Sequence, residues 1–174
     1  HRRLVGLDLG DHVAGLDGIA LGHQHALDGA GFGRHDHGHA FARLHVAQAL
    51  ANHPDCTVEV PTGRMRSRDS ALEGPDTVAC LKGKKADIAI ISSLGIDAEG
   101  QLLDRDGREL DVVNAILEQV TEPWLVVDAS KFGQPHPLQW GHLRQMKRVF
   151  TEALPPSPMP ALMHKLSVSL TIAS

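Results

Sequence analysis

The chain has 174 residues, enough for one ordinary domain and too few for two comfortable ones. Seventeen basic against 21 acidic side chains give a net charge of −4, which argues against a surface built mainly to hold nucleic acid. Two cysteines, Cys56 and Cys80, exclude a disulfide framework, and no apolar run approaches a membrane span. With no secretory-signal pattern either, a cytoplasmic setting is expected.

The composition changes near residue 46. Residues 1–45 hold eight of the 12 histidines and nine of the 17 glycines, with no Lys, Thr, Ser, Pro or Cys. Glycine at that density weakens helix and strand alike, and the apolar residues from Leu4 to Leu21 follow neither period cleanly. This stretch reads as an atypical leader outside the folded domain, and a protease is expected to cut there first. The run His35, Asp36, His37, Gly38, His39 offers imidazoles and a carboxylate, but its glycines supply no rigid scaffold, so no metal site is expected.

From residue 46 onward the chain reads as one domain of alternating strands and helices. CTVEV (56–60) is β-branched and ends at Pro61, a strand followed by a loop over 62–69. Pro75 opens a short helix that Gly83 ends. ADIAIIS (86–92) is continuously apolar, as in a central strand covered on both faces, and a loop over 93–100 follows. Asp106 and Glu109 have capping-box spacing before an apolar face of Leu110, Val113, Leu117 and Val120, a helix that Pro123 is expected to stop. WLVVD (124–128) is the next strand, with a loop through Gly133. VFTEA (149–153) is another, residues 158–165 read as helical, and LSVSLTI (166–172) reads as an edge strand. Such repetition predicts an α/β fold with a mostly parallel sheet, whose ligand edge lies at the carboxyl ends of the strands.

Three of the loops after strands have suitable chemistry. Phosphate recognition needs closely approachable backbone N–H groups and a cation. Gly63 with Arg64, Arg66 and Arg68 meets that need, as does Lys131 beside Gly133. Asp97, Glu109 and Asp128 are carboxylates suited to hydroxyl groups. No nucleophile elbow, Walker loop or paired-carboxylate motif is present, and no cofactor is expected.

The order of RSRD (66–69), Gly74, ADIAIISSLGIDAEGQLLDRDGREL (86–110), LVVDASKFG (125–133) and TEALPPSP (151–158) resembles the carboxy-terminal sensor domain of DeoR-family transcriptional repressors. The resemblance implies a Rossmann-like fold related to ribose-5-phosphate isomerase, and a non-catalytic role in sensing a phosphorylated sugar or polyol. It assigns ligand binding to Gly63, Arg66, Gly95, Asp97, Gly100, Glu109, Asp128 and Lys131. It also allows a homo-oligomer. The family's Asp-x-Gly-Thr-Thr loop and helix-turn-helix find no counterpart, and Thr62 stands where the family has a glycine. The expectation is therefore a sensor domain incomplete at its N-terminal side, without specific DNA binding of its own. The alternatives are a sugar-phosphate isomerase-like enzyme on the same fold, or a non-functional gene fragment.

Overall fold

The computed structural model describes residues 4–5, 37–40, 47–48, 56–67, 70–107 and 110–172. In chain order the elements are β1 (Leu4–Val5), β2 (His37–Ala40), β3 (Cys56–Glu59), β4 (Arg64–Arg66), β5 (Ala71–Glu73), α1 (Pro75–Lys82), β6 (Ala86–Ile91), β7 (Gly95–Ile96) and β8 (Gln101–Asp104). Then follow α2 (Leu110–Leu117), β9 (Val120–Val126), β10 (Leu138–His142), β11 (Arg148–Thr151), α3 (Met159–Lys165) and β12 (Ser169–Ile172).

The main sheet has the spatial order β12-β11-β9-β6-β1-β2-β3, and every pair in it is parallel. Chain order therefore runs outward from β1 in one direction and from β6 in the other. The reversal between β1 and β6 is the topological switch of a doubly wound, Rossmann-like sheet. The mixed α/β expectation holds.

Strand β6 lies at the centre because its sequence leaves no polar face. Ala86, Ile88, Ala89, Ile90 and Ile91 are all buried, and each isoleucine contributes about 1.5–3 kcal/mol relative to exposure. On one face Ala89 and Ile91 pack with Leu81 of α1 and with Val112, Val113, Ala115 and Ile116 of α2. A second cluster joins Leu125, Val127 and Val149 to Met159 and Met163 of α3. It also includes Ile96, Leu102 and Phe132, so the core continues beneath the loops at the carboxyl edge.

Several elements depart from the sequence reading. The span 62–69 is not simply a loop, since Arg64–Arg66 pairs antiparallel with Ala71–Glu73 in a hairpin. Within 93–100, Gly95–Ile96 joins a three-stranded antiparallel sheet of order β10-β8-β7, none of whose strands the sequence revealed. Helix α2 ends at Leu117, before Pro123, because the carbonyl of Gln119 accepts the Ala86 N–H (3.1 Å) and Val120 enters the sheet opposite Ala86. Pro123 lies inside β9. Its carbonyl accepts from Lys147 N (2.8 Å) on the β11 side, so its missing N–H faces the chain ahead of the first β9–β11 pair, Arg148 with Trp124.

The span 1–45 received no secondary-structure assignment from the sequence, and β1 and β2 come from it. Leu4 and Val5 pair with Ile88 and Ala89 of β6, and His37–Ala40 pairs with Cys56–Glu59. The remainder of that span, including His35 and Asp36, lies outside the described residues.

Candidate functional site at the carboxyl edge of the sheet

The sheet register brings three strand ends together. Ile91 pairs with Leu125 and Val126 with Phe150, so the loops leaving β6, β9 and β11 emerge side by side. In a doubly wound sheet this edge is where ligands bind.

The loop after β9 is shaped by its own polar residues. Asp128 caps a 3₁₀ turn over Ala129–Lys131, its Oδ1 accepting from the Ser130 N–H (3.0 Å) and from the Ser130 hydroxyl. Lys131 Nζ lies 3.5 Å from Asp128 Oδ2, and its side chain is only 16% exposed. Burial raises the Asp128 pKa, but the Ser130 hydrogen bonds and the Lys131 charge outweigh it, and the carboxyl titrates below its ordinary value. The turn thus holds an ionised carboxylate and an ammonium side by side. That pair suits a ligand carrying both a hydroxyl and an anionic group.

The loop after β6 is built by Asp97. Its carbonyl accepts from Gly100 N (3.0 Å), and its Oδ1 accepts from Glu99 N (3.1 Å) and Gln101 N (2.8 Å). This is a side-chain-stabilised turn that requires the positive φ of Gly100, +86°. Asp97 therefore shapes the loop with one oxygen, leaving Oδ2 outside the turn network. Gly95 is needed for a different reason: a Cβ there would overlap the Gln134 carbonyl oxygen.

The two loops are stitched together. Gly133 N donates to Ile96 O at 2.7 Å, and Ile96 and Phe132 form a parallel bridge. The loop shaped by Asp97 is thereby joined to the loop that carries Asp128 and Lys131, with Gly95 and Gly100 buried within it.

Two further expected site residues follow another strand of the same parallel sheet, and one lies outside the described residues. Gly63 and Arg66 belong to the hairpin after β3, which is three strands from β6, about 14 Å at sheet spacing. Gly63 packs against Thr77, a fully buried residue whose hydroxyl donates to Thr62 O (2.9 Å) or Glu73 O (3.1 Å). Arg66 Nη1 lies 3.6 Å from Glu73 Oε2, and Arg64 Nε lies 3.6 Å from Glu73 Oε1. Glu109 lies outside the described residues, as do Arg68 and Asp69.

Sequence reasoning missed the residues that hold the site in place. Ser93 Oγ is buried, bonds to Gly95 O (2.9 Å) and Leu103 O (3.0 Å), and accepts from Trp140 Nε1 (3.3 Å). Glu152, at the end of β11, accepts the Ala129 N–H on both oxygens (2.9 and 3.1 Å). Its position just after a strand, in TEALPP, was the one signal available. Beside this edge lies a polar cleft of about 600 Å³, lined by Glu99, Gln101, Gln139, Trp140, His142 and Arg144.

A family model of the DeoR C terminal sensor domain matches residues 42–153. The chain belongs to this family. Two curated relatives are similar to it over part of their length. The glycerol-3-phosphate regulon repressor of Escherichia coli (strain K12) is 34% identical over 113 residues, which is 65% of this chain and 45% of the relative. The HTH-type transcriptional repressor CsqR of the same strain is 27% identical over 129 residues, covering 74% of this chain and 49% of that protein. This DeoR-type sensor chain therefore spans about half the length of the curated relatives it matches. Among solved structures, eIF2B delta from Chaetomium thermophilum shares the fold with a TM-score of 0.51 at 16% identity, over 85% of this chain and 48% of that chain.

Proposed function

We propose that this chain is the effector-sensing part of a DeoR-type transcriptional regulator and binds a phosphorylated sugar or polyol, such as glycerol 3-phosphate, at the carboxyl edge of its sheet. The observation that carries the reading is the Asp128–Lys131 turn stitched to the Gly95–Gly100 loop. Lys131 meets the phosphate, while Asp128 and Asp97 accept from hydroxyls. The role is non-catalytic and the setting cytoplasmic. DNA specificity in such a regulator belongs to a helix-turn-helix separate from this sensor fold, and assembly with further copies fits the same reading.

Calorimetric titration with glycerol 3-phosphate, against inorganic phosphate as control, tests it. Losing a charge-assisted hydrogen bond costs about 1.5–3 kcal/mol, so Lys131→Ala weakens binding by about tenfold or more. Wild-type protein that fails to distinguish the polyol phosphate from phosphate alone, or a variant that binds as wild type does, refutes the assignment. Turnover of ribose 5-phosphate by the purified chain would favour an isomerase instead.

A further inference from the structure

The Asp128–Lys131 turn has an anchor on a different strand. The Ala129 N–H, first in the turn, points to neither Asp128 nor solvent but to the Glu152 carboxylate, which receives it at 2.9 and 3.1 Å. Thr151, 3% exposed, donates its hydroxyl to the same carboxylate at 3.2 Å. Glu152 is itself exposed and belongs to neither core cluster. An exposed glutamate that takes a loop N–H 23 residues away does little for packing and much for the position of that loop.

We propose that Glu152 is a positioning residue for the ligand edge: its carboxylate fixes the Ala129–Lys131 turn to the end of β11 and so sets where Lys131 presents its ammonium. The inference rests on the effector-binding reading above. Its physical basis is acceptor geometry rather than charge, because another anion beside Lys131 opposes an incoming phosphate. The neutral amide of Glu152→Gln keeps an oxygen for the Ala129 N–H, whereas Glu152→Ala removes it.

The test compares wild type, Glu152→Gln and Glu152→Ala in the full chain. Glycerol 3-phosphate affinity is measured by calorimetry, and exchange of the Ala129 amide proton by NMR. Loss of the acceptor should speed Ala129 exchange and weaken binding about tenfold in Glu152→Ala, with Glu152→Gln recovering to within about threefold of wild type on both readouts. Unchanged Ala129 exchange or unchanged affinity in Glu152→Ala overturns the positioning role. So does a Glu152→Gln variant as impaired as the alanine, because charge would then be the operative property. Failure of the wild-type chain to bind glycerol 3-phosphate overturns the functional reading, while the exchange comparison still decides whether Glu152 holds the turn.

Discussion

Substituting Gly95 with alanine probes the stitch between the two site loops. The added Cβ overlaps the Gln134 carbonyl oxygen and lies 2.9 Å from His136 Cδ2 and 3.1 Å from the Gln134 carbonyl carbon. Two of these atoms are backbone, so a rotamer change cannot relieve the clash and the 128–134 loop must move away. Overpacking of this kind costs roughly 1–3 kcal/mol. Displacing the loop also stretches the 2.7 Å bond from Gly133 N to Ile96 O, worth about 1 kcal/mol more. A total of about 2–4 kcal/mol lowers the Tm by roughly 5–15 °C in a chain of this size. Gly133→Ala is the matched control: no atom lies within 4 Å of its Cβ, and only the φ of +82° is unfavourable, costing about 1–2 kcal/mol. Thermal unfolding followed by circular dichroism, together with glycerol 3-phosphate titration, gives both readouts. Gly95→Ala should lose stability and affinity together, and more of both than Gly133→Ala. A Gly95→Ala protein with wild-type Tm and affinity would refute the claim that the loops are held in contact.

Three further outcomes are expected. Ser93→Ala leaves the Trp140 indole N–H without its buried acceptor, costing about 1–3 kcal/mol and shifting Trp140 fluorescence; an unchanged urea midpoint and spectrum would contradict it. Because Asp128 titrates lower in the folded chain than in the unfolded one, its ionised form stabilises the fold, fully above the unfolded value of about 4. The stability gap between wild type and Asp128→Asn should therefore close as pH falls through the folded value, and a gap constant from pH 6 to about pH 2 would contradict the assignment. Burial and the Arg144 charge hold His142 below its ordinary pKa, against the opposing Asp97 carboxylate and Glu99 carbonyl. The unfolded chain then takes the proton first, so stability falls as pH drops below about 6.5, and urea titrations of His142→Gln should show a flatter profile between about pH 7 and 5.

The sequence made some elements legible and hid others for physical reasons. The central strand 86–91 was readable because an unbroken apolar run has one natural place, inside a sheet covered on both faces. Helices α1 and α2 were readable from Pro75 and from the apolar face beginning at Leu110. Strand β10 was not, since LQWGH mixes polar residues with glycine and its register shifts between Gln139 and Gly141. Among the candidate site residues, Asp128 and Lys131 were suggested by their place, three apart, in a loop that follows a strand. Asp97 and Gly100 could be named too, though their spacing encodes a turn as much as a ligand contact. Ser93 and Glu152 act through partners far away in sequence, Trp140 for Ser93 and Ala129 for Glu152. No local pattern reports such contacts.

The central claim is a location, and amide chemical-shift mapping tests it most directly. Glycerol 3-phosphate added to the ¹⁵N-labelled chain should shift the amides of 93–101 and 128–134 in a saturable manner, leaving those of the 62–73 hairpin nearly unmoved. Inorganic phosphate should move only the amides around Lys131. Shifts confined to the cleft between Gln139 and Gln145, or no saturable shifts at all, would contradict the assignment of the ligand site to the carboxyl edge.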